Sequence, residues 1–478
     1  MKPTALLLAA GFLSACAGAP KKESVSFEFE APAQWSTAAA ADPVEGPWWQ
    51  ELADDTAGRL VEEALAHNYN LQTAAQNGEA ARAQAKLAGA PQWPQVSASA
   101  GGNRNRRNFI GFPIPGGGGG GGVQSTTSTT YSADLAVSWE VDLWGRLRAG
   151  QAAALADVQA ATAEWRGARQ SLAAQTLRAY FAAVEAQRQV ELAEATLESY
   201  ALSNDQVESR YERGLRPSLD LLLSMSSLST AEANLHQRRR QLDATLRQLE
   251  ILLGRYPAAA VETRSALPEI ALGVPAGLPA DLIARRPDLV AAERRLAASG
   301  ARVKEARRAL YPRISLTASG GRSSSDLGDL LDGDFSVWNL VGNLSQPLLQ
   351  GGRLKAGVKL AEANAERAVL SYAQSALRAY AEVETALAAE GHLAAQEEAM
   401  AAAARQSQAA RSLAEERYAK GLSDLLTMLT AQRNASDAES RLLAVRRQRL
   451  DTRIDLHLAL GGGFEAELAA TDTSGEQP

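Results

Sequence analysis

The sequence predicts a mainly α-helical protein that also contains membrane-crossing β-strands and is built from two repeats. Three observations predict this fold class. Two long intervals without proline have equal length, several short motifs occur twice in the same order, and four segments alternate apolar with polar residues. Of the 478 residues, 46% are hydrophobic but only 5% are aromatic, which favours long helices packed closely through small side chains.

The repeat is visible in motifs that recur at a constant offset. Residues 145–150 read Gly-Arg-Leu-Arg-Ala-Gly, and residues 352–357 read Gly-Arg-Leu-Lys-Ala-Gly. Residues 210–215 read Arg-Tyr-Glu-Arg-Gly-Leu, and residues 417–422 read Arg-Tyr-Ala-Lys-Gly-Leu. The same number of residues separates both pairs, so each half of the chain carries one copy of the same unit.

The intervals between these motifs predict two long helices of equal length. Neither 145–214 nor 352–421 contains a proline, and both have apolar residues at three- and four-residue spacing. At 1.5 Å per residue each helix would be about 100 Å long, far beyond the usual three turns or so. A plain coiled-coil rod is the alternative. A helix is also predicted after each long helix, at residues 218–253 and 423–460, and another before each strand region, at residues 56–87 and 280–310.

Before each long helix the pattern changes to strict alternation, which predicts strands. In residues 131–143 the apolar side chains fall on one face, and a mostly polar set that includes Asp134 and Glu140 falls on the other. Such strands approximate the roughly 9–11 residues that cross a bilayer. Strands half-buried in a water-soluble sheet are the alternative. The other predicted strands are residues 95–102, 313–321 and 335–346. The two predicted hairpin loops are residues 103–130 and 323–334.

Four membrane-crossing strands cannot form a stable structure on their own. Backbone donors and acceptors in lipid must be paired, so an open sheet edge is not viable there. The smallest barrels use about eight strands. We therefore expect several copies to share one barrel, since two copies would supply eight strands and three copies would supply twelve and room for a pore.

The N-terminus predicts secretion followed by lipid attachment. Lys2 precedes an apolar stretch at residues 5–13 that is too short to span a bilayer and is typical of a signal peptide. The string Leu13-Ser14-Ala15-Cys16 resembles the lipobox of bacterial lipoproteins, in which the cysteine becomes the acylated first residue. By the sorting rule of those lipoproteins, Ala17 in place of aspartate predicts the outer membrane. An ordinary signal peptide with an incidental cysteine is the alternative.

Composition and motifs argue against several other functions. A net charge of −6 argues against a nucleic-acid partner. Because Cys16 is the only cysteine, no cysteine-based metal site is expected. The four histidines are scattered, and neither His-Glu-x-x-His nor Gly-x-Ser-x-Gly occurs, so we expect no catalysis, cofactor or metal. An enzyme and a purely structural coiled-coil protein are the two rival classes.

Four sets of residues carry a family resemblance over nearly the whole mature chain. They are Pro47-Trp48-Trp49 with Leu52, residues 139–146, residues 277–282 with Arg285-Arg286-Pro287-Asp288, and residues 346–349 with 351–353. Together they resemble the TolC-like outer-membrane efflux channels, in the lipoprotein branch that serves resistance-nodulation-division (RND) pumps.

This resemblance implies a homotrimer whose twelve-stranded outer-membrane β-barrel continues into a twelve-helix periplasmic α-barrel. The implied function is the exit duct of a tripartite efflux pump, which passively conducts small toxic compounds. A type I secretion channel for proteins and a metal-ion efflux duct are the alternatives. The implied segments are a signal peptide (residues 1–15), an N-terminal equatorial segment (16–55), repeat 1 (56–254), an equatorial linker (255–280), repeat 2 (281–461) and a C-terminal tail (462–478).

The resemblance also implies that the turns after the two long helices meet a periplasmic adaptor, which links the duct to an inner-membrane RND pump. The residues implied for docking are Arg210, Gly214, Leu215, Arg417, Gly421 and Leu422.

A closed gate is implied beside the same turns. Relatives often carry aspartate at the position of Thr430, so this chain departs from the family, and Asp220 or Asp424 would supply the charge. Helix capping is the other interpretation of these two carboxylates. The residues implied for the gate are Asp220, Tyr418, Asp424, Leu426 and Thr430.

Overall fold

The structure, a computed structural model, describes residues 18–21, 35–36, 48–52, 55–109, 124–264, 266–270 and 282–462. Several sequence predictions lie outside these residues. They concern the signal peptide, Cys16, most of the N-terminal equatorial segment, part of the first hairpin loop, residues 277–281 and all but the first residue of the C-terminal tail.

The sheet belongs to the first of two units, which includes Glu79–Ala160 and Glu293–Leu370. Four strands pair antiparallel in chain order within the described residues. They are β1 (Gln95–Phe109), β2 (Gln124–Val141), β3 (Arg313–Ser324) and β4 (Ser336–Ser345). The four predicted strand segments are therefore confirmed.

The first hairpin is longer than predicted. Arg104, Arg106 and Arg107 were expected in its loop but belong to β1. They pair with Thr129, Thr127 and Thr126 of β2, where a run of serine and threonine continues the strand. The sequence analysis placed this run in the hairpin loop, but threonine fits a pleated backbone well once a partner strand supplies the hydrogen bonds.

The register of the sheet places apolar residues of all four strands on one side. Val137 lies opposite Val96 of β1 and Ala318 of β3, and Ala318 lies opposite Leu340 of β4. Residues directly opposite one another share a side, so we call this side the apolar face and the other the polar face. The apolar face also contains Leu135, Trp139, Leu316, Trp338 and Leu344, and the polar face contains Asp134, Glu140, Ser319 and Asn339.

Two long helices dominate the chain, as predicted. They are α3 (Arg146–Glu212) and α7 (Arg353–Ala419), and each has 67 residues. The helices that follow them, α4 (Ser218–Leu252) and α8 (Leu425–Ala459), each have 35 residues. None of the helices in the described ranges combines the length and apolar character needed to cross a membrane.

The two preceding helices are interrupted, whereas the sequence predicted them as continuous. The first divides into α1 (Asp55–His67) and α2 (Tyr69–Gly89), because Asn68 accepts a hydrogen bond from the Leu71 amide at 3.0 Å and caps α2. The second divides into α5 (Leu282–Arg285) and α6 (Pro287–Arg308), because the residue before a proline disfavours helical geometry.

The second unit, which includes Ala161–Ala292 and the described residues from Ser371 onward, has its own hydrophobic core. Leu177, Tyr180 and Phe181 of α3 are fully buried in it, together with Leu249 of α4 and Trp48. Within this unit α3 contacts both α4 and α8, and α8 contacts α7. In addition α3 contacts α7, and α4 contacts α8, so the four helices pack together as one group.

Candidate functional site

The turn after α3 is a helix-capping motif that brings three of the predicted docking residues together. The Gly214 amide donates to the Tyr211 carbonyl at 2.8 Å, and the Leu215 amide donates to the Arg210 carbonyl at 2.9 Å. This is the Schellman arrangement, which requires a left-handed residue after the helix. Gly214 supplies it with a φ of +71°. The turn leaves Leu215 68% exposed.

The turn after α7 repeats this geometry. The Gly421 amide donates to the Tyr418 carbonyl at 3.0 Å, and the Leu422 amide donates to the Arg417 carbonyl at 2.8 Å. Gly421 has a φ of +73°, and Leu422 is 65% exposed. The repeated Arg-Tyr-x-x-Gly-Leu motif therefore specifies the same cap twice and presents an exposed leucine from each turn.

Arg210 joins the two turns. Its guanidinium donates to the carbonyl oxygens of Tyr418 at 3.1 Å and Ala419 at 2.8 Å, and it lies 4.9 Å from the centre of the Tyr418 ring. Arg216, which the sequence analysis did not single out, approaches the same ring at 5.3 Å. The two guanidinium groups thus hold the end of α7 against the first turn through hydrogen bonds and cation–π contacts.

Tyr418 is fully buried in a small core at the ends of the helices. Val207 of α3 and Leu425 and Met428 of α8 surround it. The Tyr418 hydroxyl has no hydrogen-bond partner among the described residues of this single chain. The structure therefore supports a packing role for the Tyr418 ring.

The two acidic residues near the turns have different local roles. Asp424 is the N-cap of α8, and its carboxylate accepts hydrogen bonds from the Thr427 amide at 2.7 Å and the Thr427 hydroxyl at 3.1 Å. These hydrogen bonds hold the pKa of Asp424 below its usual value. Asp220 instead lies 3.7 Å from Arg216, within the first turn of α4.

Leu426 and Thr430 lie one turn apart on α8. Leu426 is 66% exposed, and the Thr430 hydroxyl donates to the Leu426 carbonyl at 2.7 Å. Leu425 and Met428, on the other side of the helix, are buried. The exposed side of α8 therefore continues from the exposed leucine of the second turn to Leu426 and the half-buried Thr430.

A polar contact line between α3 and α8 was not predicted from the sequence. The buried Gln432 Nε2 lies 2.9 Å from each of three acceptors, the Ser199 and Ser203 hydroxyls and Glu415 of α7, and donates its two hydrogens among them. Further contacts along the same pair of helices join Thr196 to Ser436 and Gln189 to Ser440. The seven-residue spacing of Gln189, Thr196 and Ser203 is the signal that could have indicated it.

A cavity of about 900 Å³ lies in the second unit between α3, α7 and α8. Arg286 in its wall pairs with Asp288 at 2.9 Å and Glu382 at 2.7 Å, and donates to the Ala459 carbonyl at 3.1 Å. The Arg-Pro-Asp string of the family resemblance thus holds the start of α6 to α7 and α8. In the described part of the chain, His, Cys, Asp and Glu side chains form no group of three suited to a metal ion.

Comparison with known protein families matches most of the chain to one family. A family model described as outer membrane efflux protein matches residues 60–255 and 278–462. These two ranges correspond to the two repeats and together account for most of the chain.

Individual relatives agree with this match. The chain is 35% identical over 466 residues to the outer membrane protein OprJ of Pseudomonas aeruginosa, covering 96% of this chain and 95% of that protein. It is 34% identical over 407 residues to the solvent efflux pump outer membrane protein SrpC of Pseudomonas putida, with 85% of each covered. Among solved structures, the open state of the MtrE outer membrane channel of Neisseria gonorrhoeae superposes with a TM-score of 0.80 at 28% identity, covering 94% of this chain and 98% of that one.

Proposed function

Because the chain belongs to the outer membrane efflux protein family and is therefore the outer-membrane exit duct of an efflux pump, we propose that three copies form the duct. The observation that carries this proposal is the sheet, in which β1 and β4 are edge strands and apolar residues of all four strands share one face. Pairing of β4 in one copy with β1 in the next would satisfy both edges and produce a barrel of twelve strands.

The helices support the same assembly. In the second unit, α4 and α7 both expose apolar side chains in the single chain. Leu219 and Leu222 of α4 are 62% and 63% exposed, and Leu377 and Leu413 of α7 are 51% and 55% exposed. Contact between α4 of one copy and α7 of the next would bury these leucines and extend the ring of helices to twelve.

The proposed partners are a periplasmic adaptor and an inner-membrane pump of the RND class. The two identical turns offer the adaptor paired exposed leucines, Leu215 and Leu422, on rigidly capped helix ends. We assign the closed gate to the adjacent side of α8, with Leu426 and Thr430 lining it. Asp424, Asp220 and Tyr418 support the gate through the cap, the ion pair and the small core described above.

The proposed cargo is small organic molecules. Relatives that match at 34% identity and 85% coverage are named for the efflux of solvents and of toluene. A duct for such compounds needs no built binding site, because the pump and the adaptor select the cargo. Secretion of whole proteins and export of metal ions are the competing functions, and the described residues offer no metal-binding group that would favour the latter.

Planar-bilayer recording of the detergent-purified protein, combined with chemical cross-linking, tests the duct. We expect discrete conductance steps and a cross-linked species of three chains. A water-soluble monomer that produces no conductance would contradict the proposed function. Flux of a small dye but not of a folded protein into vesicles would distinguish small-molecule export from protein secretion.

A further inference from the structure

The apolar face of the sheet ends in two arginines on the edge strand β1. Val96, Ala98 and Ala100 belong to this face, and the same alternation continues through Gly102 to Arg104 and Arg106. Both arginine side chains are exposed. The surface therefore changes from apolar to positively charged within two residues of Gly102, without leaving the same side of the sheet.

An aromatic residue marks the level of this change. Tyr131 of β2 lies directly opposite Gly102 and belongs to the same face. Aromatic side chains concentrate where the hydrocarbon of a bilayer meets the headgroups. At about 3.4 Å per strand residue, Arg104 and Arg106 lie about 7 and 14 Å farther along the strand than this level. Because strands in membrane barrels are tilted by about 35–45°, these distances correspond to about 5 and 10 Å along the membrane normal, which would place both arginines among the headgroups.

The two charges are not neutralised across the strand pair. The residues opposite are Thr129 and Thr127, which are hydroxyl-bearing rather than acidic. Arg106 donates from Nε and a terminal nitrogen to the Ser125 hydroxyl, at 3.0 and 2.8 Å. These bonds fix the Arg106 side chain along the strand, while its charge still lacks an acidic partner in those contacts.

We propose that Arg104 and Arg106 bind the phosphate groups of lipid headgroups in the outer leaflet. The inference rests on the proposed function, because only a barrel gives the apolar face a lipid surrounding. A guanidinium group donates paired hydrogen bonds to phosphate, and a basic residue near an anionic lipid surface strengthens binding about fivefold. The pair would thus fix the depth of the barrel and attract phosphorylated lipid around it.

A neighbouring copy is the competing partner. The loop between β3 and β4 contains four aspartates, and a closed barrel would place it near β1 of the next copy. Three of these aspartates already accept hydrogen bonds within the loop, Asp326 from the Gly328 amide, Asp329 from Ser324 and Asp332 from the Asp334 amide. Because these carboxylates are already engaged near their own loop, lipid phosphate is favoured over them as the ligand of the two arginines.

Arg107 provides a matched control, since it neighbours Arg106 on the same strand but lies on the polar face. Binding of bisphosphorylated lipid A and of its dephosphorylated form would be measured by native mass spectrometry for three proteins: the unaltered protein, the double variant Arg104→Gln/Arg106→Gln, and Arg107→Gln. We expect the double variant to bind the phosphorylated lipid about thirtyfold more weakly. Arg107→Gln should stay within about twofold of the unaltered protein, and the dephosphorylated lipid should not distinguish the three.

Equal lipid binding by the double variant and the unaltered protein would overturn the inference, as would an equal loss in Arg107→Gln. A double variant that keeps lipid binding but dissociates into monomers at lower temperature in lipid-free detergent would assign the arginines to the neighbouring copy instead. Bilayer conductance of the same preparations distinguishes failure of this inference from failure of the proposed function. A conducting protein without the expected lipid dependence contradicts only this inference, whereas a protein that neither inserts nor conducts contradicts the proposed function as well.

Discussion

The carboxylate of Asp424 caps the N-terminus of α8, and the capping hydrogen bonds lower its pKa. It satisfies the Thr427 amide at the start of α8, and its counterpart near the first turn, Asp220, forms an ion pair instead. Sequence analysis left capping and gating open for both residues. The geometry supports capping for Asp424, and the ion pair with Arg216 gives Asp220 a different local role.

We predict that Asp424→Ala accelerates hydrogen exchange at the Thr427 amide and in the first turn of α8, whereas Asp220→Ala leaves α8 unchanged. Because the folded state lowers the pKa of Asp424, its contribution to stability is complete above the unfolded pKa and is lost as the pH falls through the folded pKa. The difference between the variant and the unaltered protein should therefore be largest at neutral pH and disappear in acid. Equal exchange at neutral pH would contradict the capping role.

Thr430 tests the assignment of the gate. Its hydroxyl now bonds within α8 to the Leu426 carbonyl, so the residue adds no charge. Thr430→Asp would place one carboxylate on each copy of the proposed trimer, and we expect a severalfold lower conductance of the closed channel at neutral pH. Asparagine has nearly the same shape as aspartate but carries no charge, so Thr430→Asn should conduct like the unaltered protein. Unchanged conductance in Thr430→Asp would remove this position from the gate.

Cys16 carries the prediction of a lipid anchor. Metabolic labelling with radioactive palmitate should mark the unaltered protein, and Cys16→Ser should abolish the label because the chain has no second thiol to acylate. The barrel itself should still insert, since the apolar face of the sheet does not depend on the anchor. Continued labelling of Cys16→Ser would refute the lipobox interpretation.

At the scale of the elements, the Schellman turns determine where the long helices stop. Adding a Cβ at Gly214 would meet no atom within 4 Å, so only the left-handed backbone opposes a larger residue there. We predict that Gly214→Ala lowers the free energy of unfolding by about 1–2 kcal/mol. Gly391→Ala is the matched control: it lies inside α7 with equally open space, and alanine there should stabilise the helix by up to about 1 kcal/mol. Denaturant unfolding of both variants measures the contrast, and equal effects would contradict it.

The elements also show how far the sequence alone can predict this fold. The lengths of α3 and α7 follow from proline-free intervals between repeated glycines, because both ends of each helix are specified locally. The break at Asn68 was missed because this residue also donates to the Leu252 carbonyl at 2.9 Å, a tertiary contact. For the same reason the polar contact line around Gln432 was not predicted. Its hydroxyl and amide partners come from separate helices, and only packing brings them together.

At the scale of the whole molecule, assembly follows from what the single chain leaves unpaired. The described sheet has two free edges, β1 and β4, and α4 and α7 of the second unit expose leucines. Local pattern was sufficient to predict the strands and their faces, because alternation has a period of two. The number of copies does not follow from that pattern, since both eight and twelve strands satisfy the backbone, and the proposal of three copies rests on the family resemblance.

The two faces of β4 provide a direct test of the membrane-spanning sheet. Leu340, in the middle of the strand, lies on the apolar face and is 70% exposed in the single chain, and its neighbour Asn339 lies on the polar face. An arginine facing lipid near the bilayer midplane costs about 2–4 kcal/mol, whereas one facing a water-filled lumen remains solvated. Leu340→Arg should therefore reduce the fraction of protein that inserts into lipid vesicles by roughly 30-fold or more, and Asn339→Arg should insert normally and shift the ion selectivity of the channel towards anions. Equal insertion of the two variants would mean that the apolar face does not contact lipid, and the barrel would have to be abandoned.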